Sequence, residues 1–184
     1  MIMEKHSERL SRMSFSQTFV MSNKVREMKA KGLDVISLTL GEPDFDVPKN
    51  IKEAAFEAIN NNFSHYSPVP GFLDLRQAIC DKLKRDNNLD YLPSQICVSN
   101  GAKQAILNVL ASVLNDGDEV ILPAPYWVSY DEMVKMMGGT SVFVETSIET
   151  EFKITAEQLE KAITPKTKVL LYSSPCNPSG SVYS

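Results

Sequence analysis

The run Ser99-Asn100-Gly101-Ala102-Lys103 interrupts an apolar stretch, and apolar residues return behind it at Ala105, Ile106, Val109, Leu110, Val113 and Leu114. That spacing is one helical face, so Ile96 to Leu114 predicts strand, tight turn and helix in succession. A turn there leaves the first N–H groups of the helix without intrahelical partners, with the positive end of the helix dipole behind them. Such a turn suits an anion, most often phosphate. It serves equally well as an ordinary strand-to-helix connection, because turn glycines mostly serve geometry. Trp127, the single tryptophan, follows a second expected strand at Glu119 to Leu122. Its flat ring could stack on an aromatic ligand or act as a half-buried packing residue. Asn177 stands between Pro175 and Pro178 in Ser174-Pro175-Cys176-Asn177-Pro178-Ser179-Gly180, a stiffly held amide. Tyr66, in the loop His65 to Gly71, offers a phenol that packs or donates to an anion. Gly41 opens Gly41-Glu42-Pro43-Asp44-Phe45, which alone reads as a surface turn.

Alternating strands and helices must position these residues. Helices are predicted over about Gln17 to Lys31, ending at Gly32, then from Pro48 to the Asn60-Asn61-Asn62 stop, and after Gly71 with Phe72, Leu75, Ile79 and Leu83 inward. A short strand is expected at Asp34 to Leu40. Asp116-Gly117 marks a tight turn, Pro123 and Pro125 end the strand that follows, and Tyr126-Trp127 begin a helix. Gly138-Gly139 lead into a strand at Ser141 to Val144. Thr155-Ala156-Glu157-Gln158 fits a capping box, and Lys168 to Tyr172 forms the last strand. Alternation from Gln95 onward argues a mostly parallel sheet with right-handed crossovers. Ligands of open parallel sheets bind at the carboxyl edge, where the Asn100-Gly101 turn, Trp127 and Asn177 are all expected.

Composition limits the function classes. The 184 residues are 43% hydrophobic, enough for one full core, and the net charge of -4 provides no basic footprint for nucleic acid. No apolar run approaches the length of a membrane span, and the polar N-terminus does not read as a secretory signal, which leads to an expected cytoplasmic location. Cys80, Cys97 and Cys176 are widely spaced, and His6 and His65 are the only histidines. Neither a disulfide framework nor a zinc site follows, and free buried thiols are expected.

Taken together, GEPDF from Gly41, YSPVPGFLDLRQAI from Tyr66, SNGAKQAI from Ser99, PYWVSY from Pro125 and SPCNPSG from Ser174 resemble class I aminotransferases of the aspartate aminotransferase type. The similarity is greatest to the bacterial subgroup acting on aspartate and sometimes prephenate, and runs from about Thr18 to Ser184. It implies a three-layer α/β/α fold with a mostly parallel sheet, here its N-terminal half. Residues 1–46 would form an N-terminal arm and small-domain segment, and 47–184 the first half of the large pyridoxal phosphate domain.

The resemblance implies pyridoxal 5'-phosphate as cofactor and transfer of an amino group from aspartate, or a similar amino acid, to a 2-oxo acid such as 2-oxoglutarate. Gly101, Ala102 and Lys103 match the phosphate turn. Tyr66 matches a tyrosine reaching the phosphate in the neighbouring subunit, so a homodimer with shared sites is implied. Trp127 matches the residue stacked on the cofactor ring, and it counts among the substrate contacts with Asn177, Gly41 and Lys103. Asn177 matches the asparagine at the ring hydroxyl oxygen and near the substrate carboxylate, Gly41 a backbone contact near that carboxylate, and Lys103 a lysine facing the distal carboxylate of a dicarboxylic substrate. The family's Schiff-base lysine, its aspartate at the ring nitrogen and its substrate-clamping arginine have no match among the 184 residues. The chain therefore reads as the N-terminal part of a longer protein, inactive alone and with no catalytic residue of its own. Two other readings are a non-catalytic half-protein that binds phosphate or the cofactor, and a related lyase or synthase using the same cofactor.

Overall fold

A computed structural model describes residues 7–14 and 17–183. Contacts divide the chain into two units, one of residues 1–39 with 106–184 and one of Leu40–Ala105. Helix α5, Gly101–Val113, begins in the second and ends in the first.

The first unit holds a three-stranded parallel sheet in the order β2-β1-β3, with β1 at Glu119–Ala124, β2 at Thr140–Glu145 and β3 at Thr167–Leu170. Parallel neighbours require crossovers, which α6 (Ser129–Met136) and α7 (Ala156–Ala162) supply. The expected capping box opens α7: the Gln158 N–H donates to the Thr155 hydroxyl at 3.2 Å, and the Thr155 N–H donates to the Gln158 side chain at 2.9 Å. Val120, Leu122, Leu110 of α5, and Tyr130, Met133 and Val134 of α6 form the core, with Val120, Leu122 and Val134 wholly buried. The face of the central strand that carries Val120 and Leu122 is thus covered by α5 and α6, as a buried parallel strand requires. Helices α1 (Glu8–Ser11) and α2 (Gln17–Ala30) belong to the same unit. The Ser14 N–H donates to a Glu132 carboxylate oxygen of α6 at 2.8 Å, and Gly32, at φ +79°, ends α2 as its sequence indicates.

The second unit is built from α3 (Lys49–Asn60), α4 (Leu73–Asn87) and loops. Pro48 caps α3, and Asn88, in the left-handed region at φ 54°, ends α4. Arg76 binds two loops to α4: its Nε donates to the Gly71 carbonyl at 3.1 Å and its Nη1 to the Pro93 carbonyl at 2.8 Å.

Four local expectations change. Asp34 to Leu40 is not a strand, and neither is Ile96 to Val98. Both have strand-type sequences, but a strand exists only through its ladder: Val98 has a single such bond, from its N–H to the Pro70 carbonyl at 3.0 Å, and Ile36 and Leu38 stand almost fully exposed. Pro123 lies inside β1 rather than ending it. Glu119 and Ile121 direct their backbone groups to β3, donating to Lys166 and accepting from Leu171. By alternation Pro123 faces the same way, beyond the end of that ladder, so its missing N–H costs no bond. Helix α6 starts at Ser129, leaving Tyr126 and Trp127 in the preceding turn.

Candidate functional site

Strand β1 delivers Pro125-Tyr126-Trp127 to its carboxyl end, and β3 delivers Ser173 to Gly180 to the same end of the sheet, because the two strands are parallel. Trp127 is half-buried: it packs on the core cluster and meets Tyr130 edge-on at 5.5 Å between ring centroids. The indole is therefore held by packing while part of it stays accessible, and its two sequence-level readings are compatible. Tyr126 stacks on Phe143 at 5.4 Å. Burial, reinforced by the negative charge of Asp131, pushes the Tyr126 phenol above its ordinary range, so it is a neutral hydroxyl at neutral pH.

Asn177 is exposed, at the tip of a closed loop. The Cys176 N–H donates to the Ser181 carbonyl at 2.8 Å, and the Gly180 N–H donates back to the Cys176 carbonyl at 2.7 Å. The Asn177 N–H donates to the Ser173 hydroxyl at 3.2 Å, and the Asn177-Pro178 bond is cis. The thiol of Cys176 joins this loop to the one carrying Trp127, with Sγ 3.3 Å from the Pro125 carbonyl. The structure thus brings the Trp127 and Asn177 loops together.

The other predicted residues lie in the second unit. Gly101 opens α5 at φ +83°, where a side chain would be strained, and the turn is exposed from Asn100 to Lys103. The Gln104 side chain turns back to accept from the Asn100 N–H, at 2.5 Å, and the Gly101 N–H donates to the Ser99 carbonyl at 2.8 Å, so two donors of the turn are satisfied internally. The remaining geometry is a helix N-terminus open to solvent, the form that suits a phosphate. The loop bearing Tyr66 is tied to the segment entering this turn by the Val98 N–H on the Pro70 carbonyl. Tyr66 itself is fully exposed, with no hydrogen bond from its phenol among the described residues. Gly41 lies exposed in the middle of the irregular segment 33–48.

All three thiols are free, as expected, but only Cys80 is buried: Cys97 is exposed and Cys176 half-buried. Sequence reasoning missed the Cys176 link and the Arg76 staple. Both act between residues far apart in the chain, and neither leaves a local spacing signal. Among the described residues no cluster of ligand side chains suits a metal ion, and no helix is long and apolar enough to cross a membrane.

Residues 33–184 match the family described as aminotransferase class I and II. The chain is similar to an aspartate/prephenate aminotransferase of Cereibacter sphaeroides, with 52% identity over 177 residues, covering 96% of this chain and 44% of the relative. An aspartate aminotransferase of Bacillus sp. is 48% identical over 96% of this chain and 45% of its own length. Among solved structures, an aspartate aminotransferase from Thermus thermophilus with maleate superimposes with a TM-score of 0.95 at 43% identity, covering 99% of this chain and 48% of that one. The aspartate aminotransferase from Rhizobium meliloti gives 0.94 at 40% identity, covering 98% and 45%. The chain spans somewhat less than half the length of these relatives and has their fold over that span. With five ordered motifs, a parallel sheet carrying Trp127 and Asn177 at its carboxyl end, and these matches in sequence and structure, the chain belongs to the class I and II aminotransferase family.

Proposed function

We propose that this chain holds pyridoxal 5'-phosphate for an aminotransferase reaction, with aspartate or a similar dicarboxylic amino acid as amino donor and 2-oxoglutarate as acceptor. The observation that carries the reading is the joined pair of loops at the carboxyl edge, which presents a half-buried indole and an exposed amide. The residues fit the cofactor chemically. A planar heteroaromatic ring suits the Trp127 face, the Asn177 amide can donate to a ring hydroxyl oxygen, and the Gly101-Ala102-Lys103 turn suits a phosphate dianion. When bound, the cofactor supplies the electron sink for reaction at the amino acid's α-carbon.

The chain's own residues bind and orient. Trp127 fixes the plane of the ring, and Asn177 holds its hydroxyl oxygen and approaches a substrate carboxylate. Gly41 contributes a backbone contact near that carboxylate. Lys103 favours a dicarboxylic substrate through its positive charge, a choice supported by the maleate present with the Thermus relative. Tyr66, fully exposed, suits the phosphate of a second copy, so the active form is a homodimer with shared sites. None of the fourteen lysines matches the family's covalent anchor, so the chain alone binds the cofactor reversibly without turnover.

Equilibrium dialysis of the chain against pyridoxal phosphate tests this reading. Saturable binding that falls at least about tenfold in Asn177→Ala and is displaced by inorganic phosphate is expected, since a lost hydrogen bond to a charged ligand is worth roughly 1.5–3 kcal/mol. Unsaturable binding, or equal binding in the variant, contradicts it. Glutamate formation from aspartate and 2-oxoglutarate by the isolated chain would contradict the assignment of inactivity.

A further inference from the structure

Two loops at the carboxyl edge of the first unit come from strands about fifty residues apart, yet Trp127 and Asn177 can serve one ring only if the loops keep a fixed separation. The side chain that spans them is Cys176. Its Sγ donates to the Pro125 carbonyl at 3.3 Å, two residues before Trp127, while its own backbone N–H and carbonyl both close the ring of residues 176–181 that carries Asn177. The seam around this link is tight. The space lined by Pro125, Tyr126, Tyr130, Phe152, Tyr172 and Cys176 is about 10 Å³, room for no more than one water, so the loops close on each other at this seam, which neither Trp127 nor Asn177 lines. The far end of the Asn177 loop is also anchored: the Tyr183 N–H donates to the Ser174 hydroxyl at 3.0 Å, and the Tyr183 phenol accepts from the Ile154 N–H at 2.9 Å.

We infer that Cys176 is a positioning residue that sets Asn177 against Trp127 through its hydrogen bond to the Pro125 carbonyl. The assignment rests on the cofactor reading for its functional meaning, but the mechanical coupling stands on the geometry alone. A neutral thiol is a weak donor, and a hydroxyl at the same position can replace it. Cys176→Ser keeps a donor. Cys176→Ala removes the donor with little change in volume, and at a half-buried position neither change threatens folding.

The test is amide exchange by mass spectrometry on the full chain in its parental, Cys176→Ala and Cys176→Ser forms, read at 177–181, with the amides of α6 as the internal control. Loss of one modest hydrogen bond predicts roughly three- to tenfold faster exchange at 177–181 in Cys176→Ala, no change in α6, and recovery to within about twofold in Cys176→Ser. Affinity for pyridoxal phosphate follows the same order, weakening roughly threefold in Cys176→Ala and recovering in Cys176→Ser. Unchanged exchange in Cys176→Ala overturns the inference, and so does equal acceleration in both variants, which would assign the effect to sulfur packing. Failure of all three forms to bind pyridoxal phosphate overturns the cofactor reading, and with it the functional meaning of the link, while the exchange pattern still decides the coupling.

Discussion

The two units of this chain bury their apolar residues very differently. In the unit with the sheet, Val120, Ile121, Leu122 and Val134 are wholly inaccessible. In Leu40–Ala105, Cys80 alone among the described residues is buried, while Ile51, Phe56 and Ile59 of α3 are 53%, 67% and 71% exposed. Both segments have good helical periodicity, so pattern does not cause the difference. The sheet supplies an apolar surface at Val120 and Leu122 that receives both α5 and α6, whereas α3 has no such partner within its unit. Amphipathicity specifies which face of a helix is apolar. It does not specify what will cover that face.

The contrast can be broken most sharply by truncation. Leu122→Ala removes a wholly buried side chain from the central strand and is expected to cost about 2–5 kcal/mol in urea denaturation. Ile59→Ala, on the open face of α3, is expected to stay within about 0.5 kcal/mol. Similar costs at the two positions would mean that the α3 face is covered in solution. The second largest effect separates two glycines with positive φ. A Cβ at Gly138 (φ +81°) runs into the carboxylate of Asp116 and stands in ordinary contact with its backbone, whereas one at Gly101 (φ +83°) meets nothing within 4 Å. Gly138→Ala should therefore cost more than Gly101→Ala, which carries backbone strain alone, roughly 1–2 kcal/mol. The reverse order would show that the Gly101 turn is packed more tightly than its open surroundings indicate.

A smaller effect is expected at the capping box of α7, where Thr155→Ala should cost about 1 kcal/mol in thermal melts. The smallest involves pH. Lys135 donates to Asp131 at 2.6 Å and to Glu132 at 3.3 Å, and the bond to Asp131 is the main reason that its pKa lies above the ordinary value of 10.5. Tyr126 is raised above 10.0, chiefly by burial. Both contributions are fully present below the unfolded-state values and are lost as pH rises through the raised folded ones, because the unfolded chain releases these protons first. The sheet unit should therefore lose stability above about pH 10. Lys135→Met should flatten that loss, and an unchanged slope would remove Lys135 from the account.

Much of the first unit was legible in the sequence. The glycine turns, the Thr155 capping box and the apolar runs of β1 to β3 each carry a local signal. The missing strands at Asp34 to Leu40 and Ile96 to Val98 fail for one reason: a β sequence is only half of a ladder, and the other half is not local. Pro123 misled in the opposite direction, because a proline tolerated beyond the end of one ladder looks the same as a proline that ends a strand. Within the proposed site, Trp127 and Asn177 are singled out by residue type and position. Their coupling through Cys176 could not be, since it depends on two loops meeting in space.

The most direct test of the central claim uses Trp127 as its own reporter, because it is the chain's only tryptophan. Pyridoxal phosphate and pyridoxal are titrated into the full chain while indole emission is followed. Saturable quenching by pyridoxal phosphate, at least about tenfold weaker for pyridoxal because the phosphate contacts are lost, is the predicted result. Emission that falls only linearly with either compound would contradict a stacked, phosphate-anchored cofactor.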